Sequence, residues 1–253
     1  SQRYQLSWDE PLSGGFYRLG RYHTMTLPTG EEETAVCYAK FRLYDEGELE
    51  LMDEARKLWN DFFDNGVWHI YCIDWMTDTP DMEYYMTDEV WRVGAYYLSD
   101  TRYVDREDNT LLHGRRGGMM RGGTSYDITW AGDGINGPVK EWTTNTYMNE
   151  TNFTLWSFGF EWYDSQVESV TRQGNKIIIQ SVYDFDERYE VTQTVLILNN
   201  DGTLAGMRKL YLPTRDCADS EVVVDADMVV VSNSGEEIRA AITGVDLTYV
   251  PAF

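Results

Sequence analysis

The sequence predicts an α+β protein that is mainly β, built on a meandering, curved antiparallel sheet. Three observations carry this expectation. Most of the chain alternates apolar and polar residues with period two, tight-turn signals join several of these runs, and only two segments carry helix signals.

The first helix is expected over about 46–64. Asp45 and Glu48 have the spacing of a capping box, and Leu51, Met52, Ala55, Leu58, Trp59, Phe62 and Phe63 fall on one stripe at helical spacing. Asn65-Gly66 supplies a left-handed stop, and the acidic first turn suits the positive end of the helix dipole. One face of this helix is expected to lie on a core.

Eight runs rich in Val, Ile, Tyr and Thr read as strands: 35–44, 68–75, 82–98, 124–130, 176–185, 189–198, 203–212 and 221–231. "NNDG" at 199–202 predicts a hairpin, because Asp-Gly accepts the positive φ values of tight turns. Consecutive strands with short links pair antiparallel. Ser234 and Glu237 predict a second, short helix over about 235–242. No fixed-period repeat or low-complexity linker interrupts the chain, so a single domain over 1–253 is expected, with an internal joint near 131–138 at "GDGING" and Pro138.

Composition narrows the function classes. With 253 residues, 42% hydrophobic and 14% aromatic, the chain has ample material for a packed core. A net charge of −22 repels polyphosphates and anionic lipid surfaces at long range, which argues against nucleic acid as a partner. No run of 18 apolar residues occurs, so no transmembrane helix is expected. Cys37, Cys72 and Cys217 are widely spaced and odd in number, and with His23, His69 and His113 they form no zinc pattern. The pairing of the cysteines stays open. The start "SQRYQLSW" and the bias toward Tyr, Trp, Thr and Gly lead to the expectation of a processed, extracytoplasmic or secreted protein of the cell envelope, anchored at a surface through a removed N-terminal segment.

Three candidate sites stand out. Arg115, Arg116 and Arg121 form a basic island among glycines within "LHGRRGGMMRGGTSYDITW". An anion-binding loop and a glycine-shaped strand whose arginines pair with the protein's own carboxylates both fit it. The segment 141–164 is rich in aromatic rings, of which Trp142, Trp156 and Trp162 are the candidates for an apolar ligand wall; a buried core is the alternative. Acidic stretches at 74–83, 105–109 and 184–187 raise a structural calcium ion, but none has the calcium-loop spacing, and no cofactor is expected. Phosphate-loop, dinucleotide and nucleophile-elbow motifs are absent, so an enzyme is not supported.

The alternating, aromatic-rich series from "YYMTDEVWRVGAYYL" through "NKIIIQSVYDF" to "YEVTQTVLILNNDGTLAGMRKLYL" resembles bacterial envelope lipoproteins whose antiparallel sheet curls into an open half-barrel, the outer-membrane lipoprotein carriers among them. The resemblance covers about residues 68–231, rests on pattern without a diagnostic motif, and transfers no functional residue. It implies an acyl chain or other apolar ligand on the concave face. The resulting expectation is a non-enzymatic protein that binds an apolar or amphipathic small ligand there, with arginines steering an anionic head group. An adhesion or assembly module that engages a protein partner without a pocket, and a glycan-binding or carbohydrate-active protein, are the alternatives.

Overall fold

A computed structural model describes residues 12, 14–75, 83–112, 116–130, 139–144, 167–185, 188–212 and 222–248. The expected class holds: the chain is mainly β, with a large curved antiparallel sheet and two helices.

In chain order the elements are β1 (Gly15–Thr26), β2 (Glu32–Leu43), α1 (Glu46–Asp64), β3 (Val67–Asp74), β4 (Tyr84–Val93), β5 (Tyr96–Asp105), β6 (Arg116–Arg121), β7 (Thr124–Trp130), β8 (Val139–Thr144), β9 (Val167–Gln173), β10 (Lys176–Phe185), β11 (Arg188–Leu198), β12 (Leu204–Leu212), β13 (Val223–Ser232) and α2 (Gly235–Thr243). Eleven strands form one sheet in the order β8-β7-β6-β5-β4-β3-β13-β12-β11-β10-β9, and every neighbouring pair is antiparallel. Two meanders, β3–β8 and β9–β13, therefore meet at a single seam between β3 and β13.

The two helices cover opposite faces and cross this seam. α1 precedes β3 in the chain, yet it packs mainly on β9, with contacts to β10, β12 and β3. Its residues Met52, Ala55 and Phe62 join Trp68, Ile70, Cys72, Val90, Ile177, Ile179, Leu196, Met207 and Met228 in one core. α2 follows β13, yet it packs on β3–β6, where Ile238 and Ile242 meet Trp91, Val93, Leu98, Met119, Ile128 and Trp130. Period-two side-chain alternation is what lets one sheet serve two cores.

Local chemistry follows the sequence closely in the helices. Asp45 precedes α1, with the Glu48 carboxylate accepting its N–H at 3.4 Å, while the Asp45 carboxylate turns back to accept Gly14 N–H at 3.1 Å. Gly66, at φ 62°, ends the helix in the left-handed conformation that glycine tolerates best. Ser234 caps α2 by accepting Glu237 N–H at 3.3 Å. The run 82–98 is not one strand. A two-residue turn at Gly94-Ala95, with Gly94 at φ 58°, divides it between β4 and β5.

β1 and β2 stand apart as a two-stranded sheet in unbroken register from Gly15↔Leu43 to Thr26↔Glu32. Of residues 18–39 whose side chains are described, all but Leu27 and Val36 are exposed, Tyr22 at 74% and Tyr38 at 58% among them. The hairpin is thus an arm, about 40 Å long at the rise of an extended strand. Its root is fixed by Arg42, which pairs with both Glu48 carboxylate oxygens at 2.8 Å and donates to Val167 O at 2.9 Å. The expected joint at 131–138 lies outside the described residues.

Candidate functional site

On the face that α1 covers, the helix reaches only part of the sheet. Beyond it, the same face of β5–β8 is open, and the alternation there presents polar side chains. β5 contributes Ser99, Thr101 and Tyr103, β7 contributes Asp127 and Thr129, and β8 contributes Glu141 and Thr143. Antiparallel register aligns them, with Asp127 opposite Thr143 and Thr129 opposite Glu141. They line an open cavity of about 540 Å³ whose floor includes Gly117 and Gly118.

The glycines have a steric reason. A Cβ on Gly117 would fall 1.8 Å from the backbone oxygen of Ser99 and 2.9 Å from the Trp130 ring, so β6 can lie against β5 only without a side chain there. Gly118 N–H donates to Ser99 Oγ at 2.9 Å, which fixes that hydroxyl at the cavity wall. The glycine-rich stretch includes a strand shaped for close approach at Gly117, the glycine part of the second reading, while Arg121 meets backbone carbonyls rather than the carboxylates which that reading expected.

Behind the wall, Thr101 Oγ1 donates to Asp88 Oδ1 at 2.5 Å. Burial raises the Asp88 carboxyl above its ordinary range, the Thr101 bond opposes that rise, and the carboxylates of Asp74 and Asp100 add to it. Tyr103 meets Tyr84 edge-on, with ring centroids 5.3 Å apart. The cavity thus offers five hydroxyl-bearing side chains and two carboxylates, with Ile128 and Trp142 also in its lining and apolar surface at least equal to the polar.

Of the expected site residues, Trp142 is among those lining this cavity. Trp142 is in register with Ile128, so its ring lies on the α2 side, where it meets Tyr126 edge-on at 5.6 Å. Arg121 also serves that side: its Nη1 donates to Thr243 O at 3.2 Å and Val245 O at 3.1 Å, capping the end of α2. Arg116 opens β6 in register with Thr101 and Thr129. Arg115, Trp156 and Trp162 lie outside the described residues.

In the acidic stretch 105–109, Asp105 Oδ1 accepts the N–H groups of Glu107 and Asp108, so this carboxylate shapes a turn. Among the described residues no three His, Cys, Asp or Glu side chains converge as a metal site. Cys37 is exposed and Cys72 buried, both free, and Cys217 lies outside the described residues. Apart from Trp142, the cavity residues were not expected as a site: β7 was expected as a strand, but β6 and β8 carry no clear alternation and β5 was expected to end at 98. The polar run Ser99, Thr101, Tyr103 at period two is the signal that marks them.

No family model, no curated protein and no solved structure matches the chain.

Proposed function

We propose that this is a non-enzymatic binding protein that holds a small hydroxyl-rich ligand, a sugar or amino sugar, in the β5–β8 cavity. One observation carries the reading: a cavity of about 540 Å³ on the curved sheet has Ser99, Thr101, Tyr103, Asp127, Thr129, Glu141 and Thr143 in its lining, beside Ile128 and Trp142. Binding pockets for small molecules fall in about this size range. A lining of this kind accepts hydrogen bonds from hydroxyl and ammonium groups, and a ring hydrogen face can rest on Tyr103. Of the expected ligand classes we favour the glycan alternative for its hydroxyl- and carboxylate-bearing lining, with the apolar ligand as the competing outcome of the test; an extracytoplasmic setting, where such ligands are met, remains part of the proposal.

The test is calorimetric titration with neutral sugars, amino sugars and a medium-chain fatty acid. An amino sugar is expected to bind, and Asp127→Asn with Glu141→Gln is expected to weaken it about tenfold or more, the worth of a charge-assisted hydrogen bond. Saturable binding of the fatty acid, with none of any sugar, overturns the reading.

A further inference from the structure

Asp88 is a carboxylate on the core-facing side of β4. Alternation along the strand places it on the same side as Val90, which is 2% exposed and belongs to the core under α1. A carboxylate in that position costs free energy unless it is bonded, and among the described residues its hydrogen bond is to Thr101, directly opposite on β5. The same Thr101 lines the cavity. One hydroxyl thus has a carboxylate behind it and the ligand space in front.

Counting protons decides what Thr101 offers to that space. A threonine hydroxyl has one proton and two lone pairs, and an ionised carboxylate has lone pairs alone. The proton therefore points back to Asp88, and lone pairs are left for the cavity. Ser99, two residues earlier on the same wall, is held differently: its Oγ accepts Gly118 N–H at 2.9 Å, so backbone orients it.

Protonation of Asp88 changes the count. A neutral carboxyl brings a proton of its own, which Thr101 Oγ1 is placed to accept, and the threonine proton then turns to the cavity. The groups that act on or beside Asp88 are Cys72 and Asp74 on β3, and Tyr97, Asp100 and Thr101 on β5. Asp100 is turned to the other face, where Arg102 pairs with it at 2.9 Å. Arg116 stands one strand further, in register with Thr101.

We propose that Asp88 is a positioning residue for the cavity: by holding the Thr101 proton it makes this point of the wall an acceptor, and so selects ligands that donate there through an ammonium or hydroxyl group. The inference rests on the reading of the cavity as a site for such ligands. Two measurements test it. In the ligand-free, ¹³C-labelled protein followed by NMR from about pH 3 to about pH 8, Asp88 Cγ and Thr101 Cβ are expected to shift with one common midpoint, and Thr101→Val is expected to raise the Asp88 midpoint, because a bond to the ionised form is lost.

The second is calorimetric titration with glucosamine, whose amine keeps its charge below about pH 6.5. At that pH Asp88→Asn is expected to bind about tenfold more weakly than the unmodified protein, the difference between a charge-backed hydrogen bond and a neutral one. The ratio is expected to fall to about one as Asp88 is protonated; the other cavity carboxylates are common to both proteins, so the ratio isolates Asp88. Thr101→Ser is expected to keep the unmodified profile, and Asp88→Asn is expected to cost nothing further in a Thr101→Val background. Separate midpoints for Asp88 and Thr101 overturn the proposal, as does a ratio that is flat with pH, and both leave the ligand class standing. A protein that binds neither glucosamine nor a neutral sugar overturns the ligand class and the proposal together.

Discussion

Asp88 shows how one residue can link the polar cavity to stability. It sits on β4 in register with the buried Cys72 on one side and Thr101 on the other. Burial raises its carboxyl first, Thr101 pulls it back, and Asp74 and Asp100 push it further up. A carboxyl whose folded pKa lies above its unfolded value favours folding through its neutral form. That contribution is full below the ordinary value of 3.8 and is lost as pH rises through the folded value. Asp88→Asn keeps an acceptor for Thr101 and removes the ionisation. Its melting temperature is expected to gain on that of the unmodified protein as pH is raised from about 4 to about 7. A gap that closes or reverses over this interval refutes the assigned shift. Cys72, its neighbour, has its thiol pushed up by the same burial, while Cys37 lies exposed on the arm.

Among the elements, α1 depends most on its buried stripe. Phe62 is 7% exposed and lies edge-on to Phe63 at 4.9 Å and stacked with Trp68 at 6.4 Å. Phe62→Ala is expected to cost about 3–5 kcal/mol, which for a chain of this size lowers the melting temperature by roughly 10 °C. Leu49→Ala, on the exposed face of the same helix, is expected to change stability by less than about 0.5 kcal/mol. A thermal melt of each variant checks the contrast. Such one-sided burial is also what made elements legible in the sequence. α1, α2, β3 and β10–β13 bury one face against a core, so their periodicity shows. β1 is exposed on both faces and has no reason to alternate, while β6 trades side chains for close packing at Gly117. β8 and β9 are short, and β4 and β5 ran together because a two-residue turn with a single glycine leaves little mark. The cavity was only partly legible for the same reason: β7 was expected, but the rest is built where β5 outlasts its expected end and on β6 and β8, which the pattern omits.

For the whole molecule, charge is the dominant long-range term. At −22 the folded chain repels itself, and described ion pairs such as Arg208–Asp227 and Arg172–Glu54 are exposed enough to be worth about 1 kcal/mol or less each. Raising NaCl from about 0.02 to about 0.3 M shortens the screening length severalfold. The melting temperature is therefore expected to rise over that range, measured at a protein concentration low enough to keep copies apart; a fall would show that ion pairing outweighs repulsion. Against that repulsion the fold sets an interlock. The helix that leads into one meander lies on the other, and the helix that leaves the second lies back on the first. Neither half can hide its own oily side unaided, so each must borrow its lid from the other, and the two stand or collapse together as a single cooperative unit.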